Sequence, residues 1–355
     1  MGVLLIFLDG VGVGQNDPSK NPFAIRKSLL SRFSEEASAE TPPAIIKSAN
    51  DDFSVLQDIV ESDYVDRHPS FRAIFNNFCH HLLAHEKDYV NNEERRNSPW
   101  LPEGCCERET YKAIDATLGV PGIPQSATGQ ASLLTGMNVP QVAGGHLAGL
   151  PNQKVRDAIN RESIFLKLSR MGLKAIFANG FTEAYFKRER PRVSATTQSA
   201  IAGGVKLRTI EDVKNGKSLY HDFTNFFLKE MGYELKLYSP QRAGETLVRI
   251  ASEHDFTLYE YFITDIIGHK GGLREASIEV AKIDLFMRSV LDNINLDDNL
   301  VIVTSDHGNL EDSSIKTHTL NRVPLLCWGK NSEKLASGVD DISAISNSII
   351  SILTS

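Results

Sequence analysis

The stretch VIVTSDHGNLEDSSIKTHTLNRVP, residues 301–324, contains the pattern on which the interpretation of this chain rests. Its first four residues are uncharged and β-prone, which predicts a buried strand that ends just before Asp306 and His307. His318 follows in a predicted loop. A carboxylate and two imidazoles suit a divalent metal, because zinc and manganese accept mixed nitrogen and oxygen ligands. An adjacent Asp-His pair is also common in ordinary surface loops, so the rest of the chain must decide between these interpretations.

The composition is that of a soluble globular protein. The chain has 355 residues, 41% hydrophobic and 23% charged, enough for one large core or a core with a subdomain. The net charge of −7 gives no reason to expect nucleic acid or an anionic membrane as a partner. No segment approaches the length of a membrane-spanning helix. The four cysteines show no metal-binding CxxC spacing, so we expect reduced thiols and a cytoplasmic location.

A second apolar run lies at residues 3–8 and ends at Asp9. Continuous runs of this kind are typical of central parallel strands, which are covered on both faces. Ligands gather at the carboxyl ends of such strands, so Asp9 occupies a position where a ligand is expected. The glycines that follow resemble a dinucleotide-binding loop only superficially, because no helix opens after them.

Strand-like and helical segments alternate along the chain after residue 110. Strands are predicted at 111–116, 174–178, 256–264 and 323–328. Helices are predicted at 164–171, 221–231, 242–253, 276–291 and 342–353. This alternation predicts an α/β fold, with a doubly wound, mostly parallel sheet and helices on both faces.

Residues 119–137, GVPGIPQSATGQASLLTGM, predict a tight loop that leads into a helix beginning at about residue 131. Ser126 lies at this junction, where exposed backbone N–H groups stabilise anions and an ionised hydroxyl. The alternative is that Ser126 or Thr128 is simply a helix cap. Further along the chain, Asp265 and His269 are spaced four apart, as one turn of helix would place them on the same face.

Seven residues with metal-binding or nucleophilic side chains thus follow predicted strands or lie in the loops just after them. They are Asp9, Ser126, Asp265, His269, Asp306, His307 and His318. Three carboxylates, three imidazoles and a hydroxyl are about the number of ligands that two divalent ions require. The sequence therefore predicts a centre for two metal ions at the carboxyl edge of the sheet.

At these motifs the sequence resembles the alkaline phosphatase superfamily, and within it the cofactor-independent phosphoglycerate mutases and the phosphopentomutases. The matching segments, in family order, are LDGVG at 8–12, DIIGH at 265–269, TSDHGN at 304–309 and THTLNRVP at 317–324. The motifs cover residues 1–30 and 250–330. The resemblance implies an alkaline-phosphatase-like core.

The resemblance also implies the arrangement of the ligands. Asp265, His269 and His318 would hold one ion. Asp9, Asp306, His307 and the oxygen of the nucleophile would hold the other. The ions expected are manganese or zinc, with magnesium as an alternative.

Three hydroxyls compete for the role of nucleophile: Ser126, Thr128 and Ser132. The mutases place theirs three residues before a glycine, and counting back from Gly129 gives Ser126. Sulfatases, a sister family, place theirs five residues before an alanine, and counting back from Ala131 again gives Ser126. The resemblance therefore favours Ser126 as the catalytic residue.

Three more residues flank these positions and are candidates for substrate binding: Gln130, Lys270 and Asn309. Thr128 and Gln130 stand where sulfatases have proline and arginine, so sulfatase activity is not expected.

The function implied is two-metal phosphoryl transfer through a phosphoserine. Only 138 residues separate Ser126 from Asp265, whereas the mutases carry a larger cap there. This favours hydrolysis of a small phosphate ester. One alternative is a phosphomutase of the phosphoglycerate or phosphopentose type. The other alternative is a non-catalytic metal-binding protein on the same fold.

The predicted division of the chain has three parts. Residues 1–33, 111–180 and 246–355 form the metal-binding core, residues 34–110 form an insertion, and residues 181–245 form a small cap or subdomain.

Overall fold

A six-stranded mixed sheet forms the centre of the fold. The computed structural model describes residues 1–25, 109–189 and 192–355. Its strands are β1 (Gly2–Leu8), β2 (Glu109–Ile114), β3 (Ala175–Phe177), β6 (Phe256–Tyr261), β7 (Asn299–Thr304) and β8 (Val323–Gly329). Their order across the sheet is β2-β8-β7-β1-β6-β3. A separate pair, β4 (Gly180–Phe181) and β5 (Arg208–Thr209), forms a second small sheet.

The strand directions confirm the predicted fold class. β1 runs parallel to both of its neighbours, β6 and β7, and β3 runs parallel to β6. β8 runs antiparallel to both of its neighbours, β7 and β2, and the other strand pairs of this sheet in the described residues are parallel. The fold is therefore α/β with a mostly parallel sheet.

The helices cover both faces of the sheet. Their bounds are α1 (Ser126–Thr135), α2 (Val139–Ala143), α3 (Gln153–Glu162), α4 (Ile164–Arg170), α5 (Glu183–Lys187), α6 (Ala195–Ala202), α7 (Ile210–Lys214), α8 (Phe226–Glu230), α9 (Pro240–Ala251), α10 (Ile263–Lys270), α11 (Leu273–Asn293), α12 (Ser332–Ser337) and α13 (Ala344–Leu353). A 3-10 helix spans Pro22–Ile25. Helices α9 and α11 pack together on one face, and α1, α4 and α13 pack on the other.

The position of β1 explains why it has no polar residue between Val3 and Leu8. Its alternate side chains enter two separate cores, Leu4 and Ile6 on one face, and Leu5 and Phe7 on the other. All of them are at most 1% exposed. A strand covered on both faces must be apolar at every position, which is the pattern that the sequence shows.

Several local boundaries differ from the predictions, three of them in residues 126–135, 221–230 and 256–265. β6 ends at Tyr261 rather than at residue 264, and Asp265 lies inside α10. The helix predicted from residue 221 begins only at Phe226. The reason is that the Asp222 carboxylate accepts the backbone N–H of Phe226 at 2.7 Å, and Asn225 has a φ of +65°. The helix predicted to begin at about residue 131 begins instead at Ser126.

The segment predicted as a small cap, residues 181–245, contains α5 to α8 and the start of α9. One of these helices, α6, packs against α1 and α3. Most of the predicted insertion lies outside the described residues. The division of the chain into core, insertion and cap therefore stays a prediction. Across residues 1–25, 109–189 and 192–355, every helix is too short or too polar to cross a membrane.

Candidate metal centre

Three neighbouring strands, β6, β1 and β7, end close to the predicted metal ligands. Because β1 lies between β6 and β7 and all three run in the same direction, their carboxyl ends meet at the same edge. Asp9 follows β1, and its backbone N–H donates to the carbonyl of Tyr261 at the end of β6. Asp306 and His307 follow β7, and α10 follows β6.

The first ligand group contains Asp265, His269 and His318. Asp265 and His269 lie one turn apart on α10, and His269 Nε2 is 3.4 Å from Asp265 Oδ2. His318 Nε2 comes within 3.6 Å of Asp265 Oδ1 and within 3.1 Å of His269 Nε2. All three donor atoms lie within 4.8 Å of one another. The predicted set for one metal ion is therefore assembled by the fold.

The hydrogen bonds of the two imidazoles show that this group suits a cation. His269 Nδ1 lies 2.8 Å from the carbonyl oxygen of Lys316, and His318 Nδ1 lies 3.0 Å from that of Pro124. A carbonyl oxygen only accepts, so both Nδ1 atoms carry the proton, and a neutral ring then presents a lone pair at Nε2. Two such lone pairs 3.1 Å apart repel each other unless a proton or a metal ion lies next to them.

The second group contains Asp9, Asp306, His307 and Ser126. His307 Nε2 is 3.4 Å from Asp9 Oδ1, 3.5 Å from Asp306 Oδ2 and 2.9 Å from Ser126 Oγ. All four side chains are buried, and Asp306 and His307 are fully inaccessible. The two groups adjoin, because the rings of His307 and His318 stack with their centroids 3.6 Å apart. Asp265 also belongs to both neighbourhoods, since it lies within 4.8 Å of Asp9 and His307.

Several atoms of these groups are buried without a hydrogen-bond partner. They are Asp9 Oδ1, Asp265 Oδ2, Asp306 Oδ2 and His307 Nδ1. A buried unsatisfied polar atom costs about 1–3 kcal/mol, and more if it is charged. Such a concentration of carboxylate and imidazole atoms is the donor set that divalent metals accept. The residues present therefore fit the predicted ions.

The electrostatics of the two groups lead to the same conclusion. Burial, together with the neighbouring Asp306 and Asp265 carboxylates, raises the pKa of Asp9 well above its ordinary value. Burial and the Asp265 charge do the same to the pKa of Asp306. Burial also lowers the pKa of His307, which keeps its ring neutral. A bound divalent cation would reverse the penalty on the carboxylates, because its charge favours their ionised forms.

Asp265 behaves differently from the other two carboxylates. Burial alone would raise its pKa, but the imidazoles of His269 and His318 outweigh burial and hold it well below the usual range. Asp265 is therefore ionised, and it is the anion around which the first group is built.

Ser126 is the first residue of α1, and its hydroxyl points into the second group rather than capping the helix. The residue at the N-cap is Gln125, which makes no side-chain capping bond. The two competing hydroxyls bond elsewhere, since Thr128 Oγ1 donates to the carbonyl of Gln125 and Ser132 Oγ donates to that of Thr128. Among these three hydroxyls, only that of Ser126 contacts a predicted ligand.

The three candidate substrate-binding residues occupy different places. Gln130 Nε2 donates to Asp9 Oδ2 at 3.2 Å, and Asn309 Nδ2 donates to Asp265 Oδ1 at 2.7 Å. Both side chains are buried and orient a carboxylate of the site. Lys270 is the last residue of α10 and is exposed. A role for any of them in substrate binding stays a prediction.

Two buried glutamates near the site are absent from the predicted set. Glu260 lies at the end of β6, where burial raises its pKa to about 7 and Thr196 Oγ1 donates to it at 2.8 Å. Glu311 follows the Asp306-His307 pair and is 1% exposed. The sequence signal for Glu260 was a charged residue inside the apolar run FTLYEY. Glu311 has no local signal, because three of its four partners, Gly12, Thr319 and Asn321, lie outside its own turn.

The fold and the donor set define an α/β protein with a buried cluster suited to divalent metal ions. Residues 196–354 match the Metalloenzyme superfamily. The match and the phosphoglycerate mutase relatives confirm the predicted resemblance of this chain to metalloenzymes of the alkaline phosphatase superfamily. The match to a metalloenzyme family and the two ligand groups support the binding of divalent metals, while the choice among manganese, zinc and magnesium stays a prediction.

Curated relatives are 2,3-bisphosphoglycerate-independent phosphoglycerate mutases. That of Sulfurimonas denitrificans is 28% identical over 159 residues, which cover 39% of this chain and 32% of the relative. That of Mycoplasma genitalium is 26% identical over 93 residues, which cover 24% of this chain and 18% of the relative. The chain thus matches at most a third of the length of these relatives. Among solved structures, the alkaline phosphatase of the Antarctic bacterium TAB5 has a TM-score of 0.47 and 12% identity, covering 99% of this chain and 97% of the other.

Proposed function

We propose that this protein transfers phosphoryl groups with the help of two divalent ions, and that it hydrolyses small phosphate esters through a phosphoserine at Ser126. The observation that carries the proposal is the 2.9 Å contact between Ser126 Oγ and His307 Nε2, which places the hydroxyl at a helix N-terminus inside the cluster of carboxylates and imidazoles. The proposed partner is a small phosphorylated molecule.

The residues that would hold the ions are those of the two groups. Asp265, His269 and His318 would hold one ion. Asp9, Asp306, His307 and the Ser126 hydroxyl would hold the other. Divalent ions in such sites neutralise the charge on phosphoryl oxygens and lower the pKa of a bound hydroxyl.

The chain itself orients the nucleophile and the phosphate. The helical hydrogen bonds of α1 begin with the backbone N–H of Gly129, which donates to the carbonyl of the N-cap residue Gln125 at 2.8 Å. The amides before it lie at the positive end of the helix, where a phosphate dianion is stabilised. Gln130 and Asn309 hold the carboxylates of Asp9 and Asp265 by donating to one oxygen of each, so the other oxygen stays directed into the cluster.

The proposed reaction has two balanced steps. In the first step, Ser126 Oγ bonds to phosphorus as the bond to the ester oxygen breaks, and the leaving alcohol takes up a proton. In the second step, a water oxygen bonds to the same phosphorus, the bond to Ser126 Oγ breaks, and orthophosphate leaves. His307 Nε2 would be bound to the ion, so the protons balance without it: the leaving alcohol takes up the proton that Ser126 loses, and the water of the second step returns a proton to Ser126.

The second candidate is a phosphomutase, which the names of the curated relatives favour. It differs only in the second step, where a hydroxyl of the retained substrate, instead of water, takes the phosphoryl group from Ser126. A third candidate, a metal-binding protein without activity, would keep the cluster and lack both steps.

The test is phosphate release from a panel of phosphomonoesters, including p-nitrophenyl phosphate, with Mn²⁺ or with chelator. Ser126→Ala is expected to lower the Mn²⁺-dependent rate at least about 10³-fold, because the nucleophile is lost. Ser132→Ala is the matched control, because the Ser132 hydroxyl is buried on the same helix but bonds away from the ligands, donating to the carbonyl of Thr128 and accepting the backbone N–H of Val139. Its rate should stay near that of the wild type.

Other outcomes separate the candidates. Equal rates for Ser126→Ala and the wild type would exclude Ser126 as the nucleophile and make Thr128 the next residue to replace. Isomerisation of 3-phosphoglycerate or a pentose phosphate without phosphate release would establish the mutase. Binding of Mn²⁺ without turnover of any substrate would establish the non-catalytic protein.

A further inference from the structure

We propose that Glu311 is a positioning residue, whose carboxylate holds together the separate loops that carry the metal ligands. The proposal rests on the metal centre of the proposed function, but it does not depend on which reaction occurs there. Glu311 lies in the loop after β7, four residues beyond His307, and is 1% exposed.

The Glu311 carboxylate accepts hydrogen bonds from four donors. Oε2 accepts the backbone N–H of Gly12 and the backbone N–H of Asn309, each at 2.8 Å. Oε1 accepts the hydroxyl of Thr319 and, at 3.0 Å, the side-chain amide of Asn321. With both oxygens engaged by donors, this carboxylate acts as a structural acceptor rather than as a ligand of the centre.

These donors come from two connections that carry ligands at this edge of the sheet, the one after β1 and both ends of the one between β7 and β8. Gly12 belongs to the loop that begins with Asp9. Asn309 is two residues beyond His307, and its side chain in turn donates to Asp265. Thr319 is the residue after His318. A single carboxylate therefore sets the position of both ligand groups relative to each other.

Close packing around the Glu311 side chain supports this role. A Cβ atom added to Gly12 would overlap the Glu311 carboxylate, and so would one added to Gly308. Glycine is thus required at two points where the backbone of a ligand loop passes directly against Glu311. The loops are also bonded to each other, since the amide of Thr319 donates to the carbonyl of Gly308 at 3.0 Å and that of Leu310 to Gly10 at 2.9 Å.

The chemistry of the four contacts predicts which substitution is informative. Glu311→Gln keeps the shape of the side chain but replaces one acceptor oxygen with an NH₂ group, which only donates. Two of the four donors would then face another donor and lose their partner. At least one ligand loop must move, and metal sites require their ligands to stay within about 0.5 Å of the productive geometry.

The experiment measures the affinity of the full chain for Mn²⁺ by calorimetry, together with the melting temperature in chelator. Glu311→Gln is expected to weaken Mn²⁺ binding by about 10–100-fold, the effect typical of residues that orient metal ligands. Glu311→Asp, which keeps the charge but shortens the reach, should fall between Glu311→Gln and the wild type.

The matched control is Asp222→Asn. Asp222 is also a fully buried loop carboxylate, and its Oδ2 accepts the hydroxyl of Thr224 and the amides of Phe226 and Phe227 at 2.7–3.3 Å. None of those donors lies in a ligand loop. Asp222→Asn should therefore leave the Mn²⁺ affinity unchanged, whatever its effect on the melting temperature.

The outcomes keep this proposal distinct from the proposed function. If Glu311→Gln binds Mn²⁺ as tightly as the wild type, Glu311 is not a positioning residue, whatever the activity. If Glu311→Gln does not fold, Thr319→Val takes its place, because it removes only one of the four donors. Thr319→Val should weaken Mn²⁺ binding more than Asp222→Asn does. Equal Mn²⁺ affinities of Thr319→Val and Asp222→Asn would overturn the proposal. Failure of the wild type to turn over phosphate esters would overturn only the proposed function.

Discussion

Replacement of Asp306 by asparagine should stabilise the metal-free protein and reduce its response to metal. Asp306 is fully buried, its Oδ2 has no hydrogen-bond partner, and burial and Asp265 raise its pKa. An asparagine has nearly the same shape without the charge. Its amide oxygen can still accept the backbone N–H of Gly10, which lies 3.5 Å from Asp306 Oδ1. Its NH₂ group can donate to the neighbouring Asp9 carboxylate.

The magnitudes follow from two opposing effects. Removing a buried unsatisfied charge is worth about 1 kcal/mol or more, which corresponds to a rise in melting temperature of about 2–4 °C in chelator. In the wild type, a metal concentration about 100-fold above the Kd stabilises the folded state by about 2.7 kcal/mol, or about 5–11 °C. The variant loses a ligand, so most of this second increase should disappear.

The pH dependence independently predicts the sign of the stability change caused by Asp306→Asn. The folded carboxyl binds its proton more tightly than the unfolded one, whose ordinary pKa is 3.8. The chelated wild type therefore loses stability as the pH rises from 3.8 through the folded pKa, whereas the variant has no such loss. The advantage of Asp306→Asn should be present at neutral pH and vanish in acid.

The assay is thermal unfolding of both proteins with chelator and with Mn²⁺, with Asp222→Asn as a control whose melting temperature should rise with Mn²⁺ as much as that of the wild type. The expected signature is a crossing: the variant melts above the wild type in chelator and below it in saturating Mn²⁺. A variant that melts below the wild type in chelator and shifts equally with Mn²⁺ would refute the assignment of Asp306 as a metal ligand.

Two further predictions concern the first ligand group and the core. Burial lowers the pKa of His269, but the Asp265 carboxylate outweighs burial and raises the net pKa above 6.5. Because a protonated imidazole cannot bind metal, Mn²⁺ affinity should begin to fall, as the pH is lowered, while the pH is still above 6.5. An affinity that is constant on both sides of that value would contradict the assignment of His269 as a ligand. Lys282→Met should lower the melting temperature by about 6–20 °C, because Lys282 Nζ lies 2.9 Å from Glu279 in the core and breaking a buried pair costs about 3–5 kcal/mol. Adding Glu279→Gln to that variant should restore part of the loss, and no recovery would show that the pair is not the source of the effect.

The sequence alone was sufficient for the features that depend on local pattern. Residues 3–8 predicted a strand covered on both faces, because a strand in that position must be apolar throughout. The spacing of Asp265 and His269 predicted one helical turn. The position of Asp9 and Asp306 directly after apolar runs predicted a shared edge, because parallel strands of one sheet end on the same side.

The tertiary structure alone decided which side chains touch. The placement of β1 between β6 and β7 brings Asp9, Asp265 and Asp306 together, and it depends on pairing between segments about 250 to 300 residues apart. Ser126 is distinguished from Thr128 by the direction of its hydroxyl, which the start of α1 sets. Glu311 carries no local signal, because three of its four donors lie outside its own turn, Gly12 at 299 residues, Thr319 at 8 and Asn321 at 10. Local pattern determines which residues reach an edge of the sheet, and only the long-range register of strands and loops determines which of them meet there.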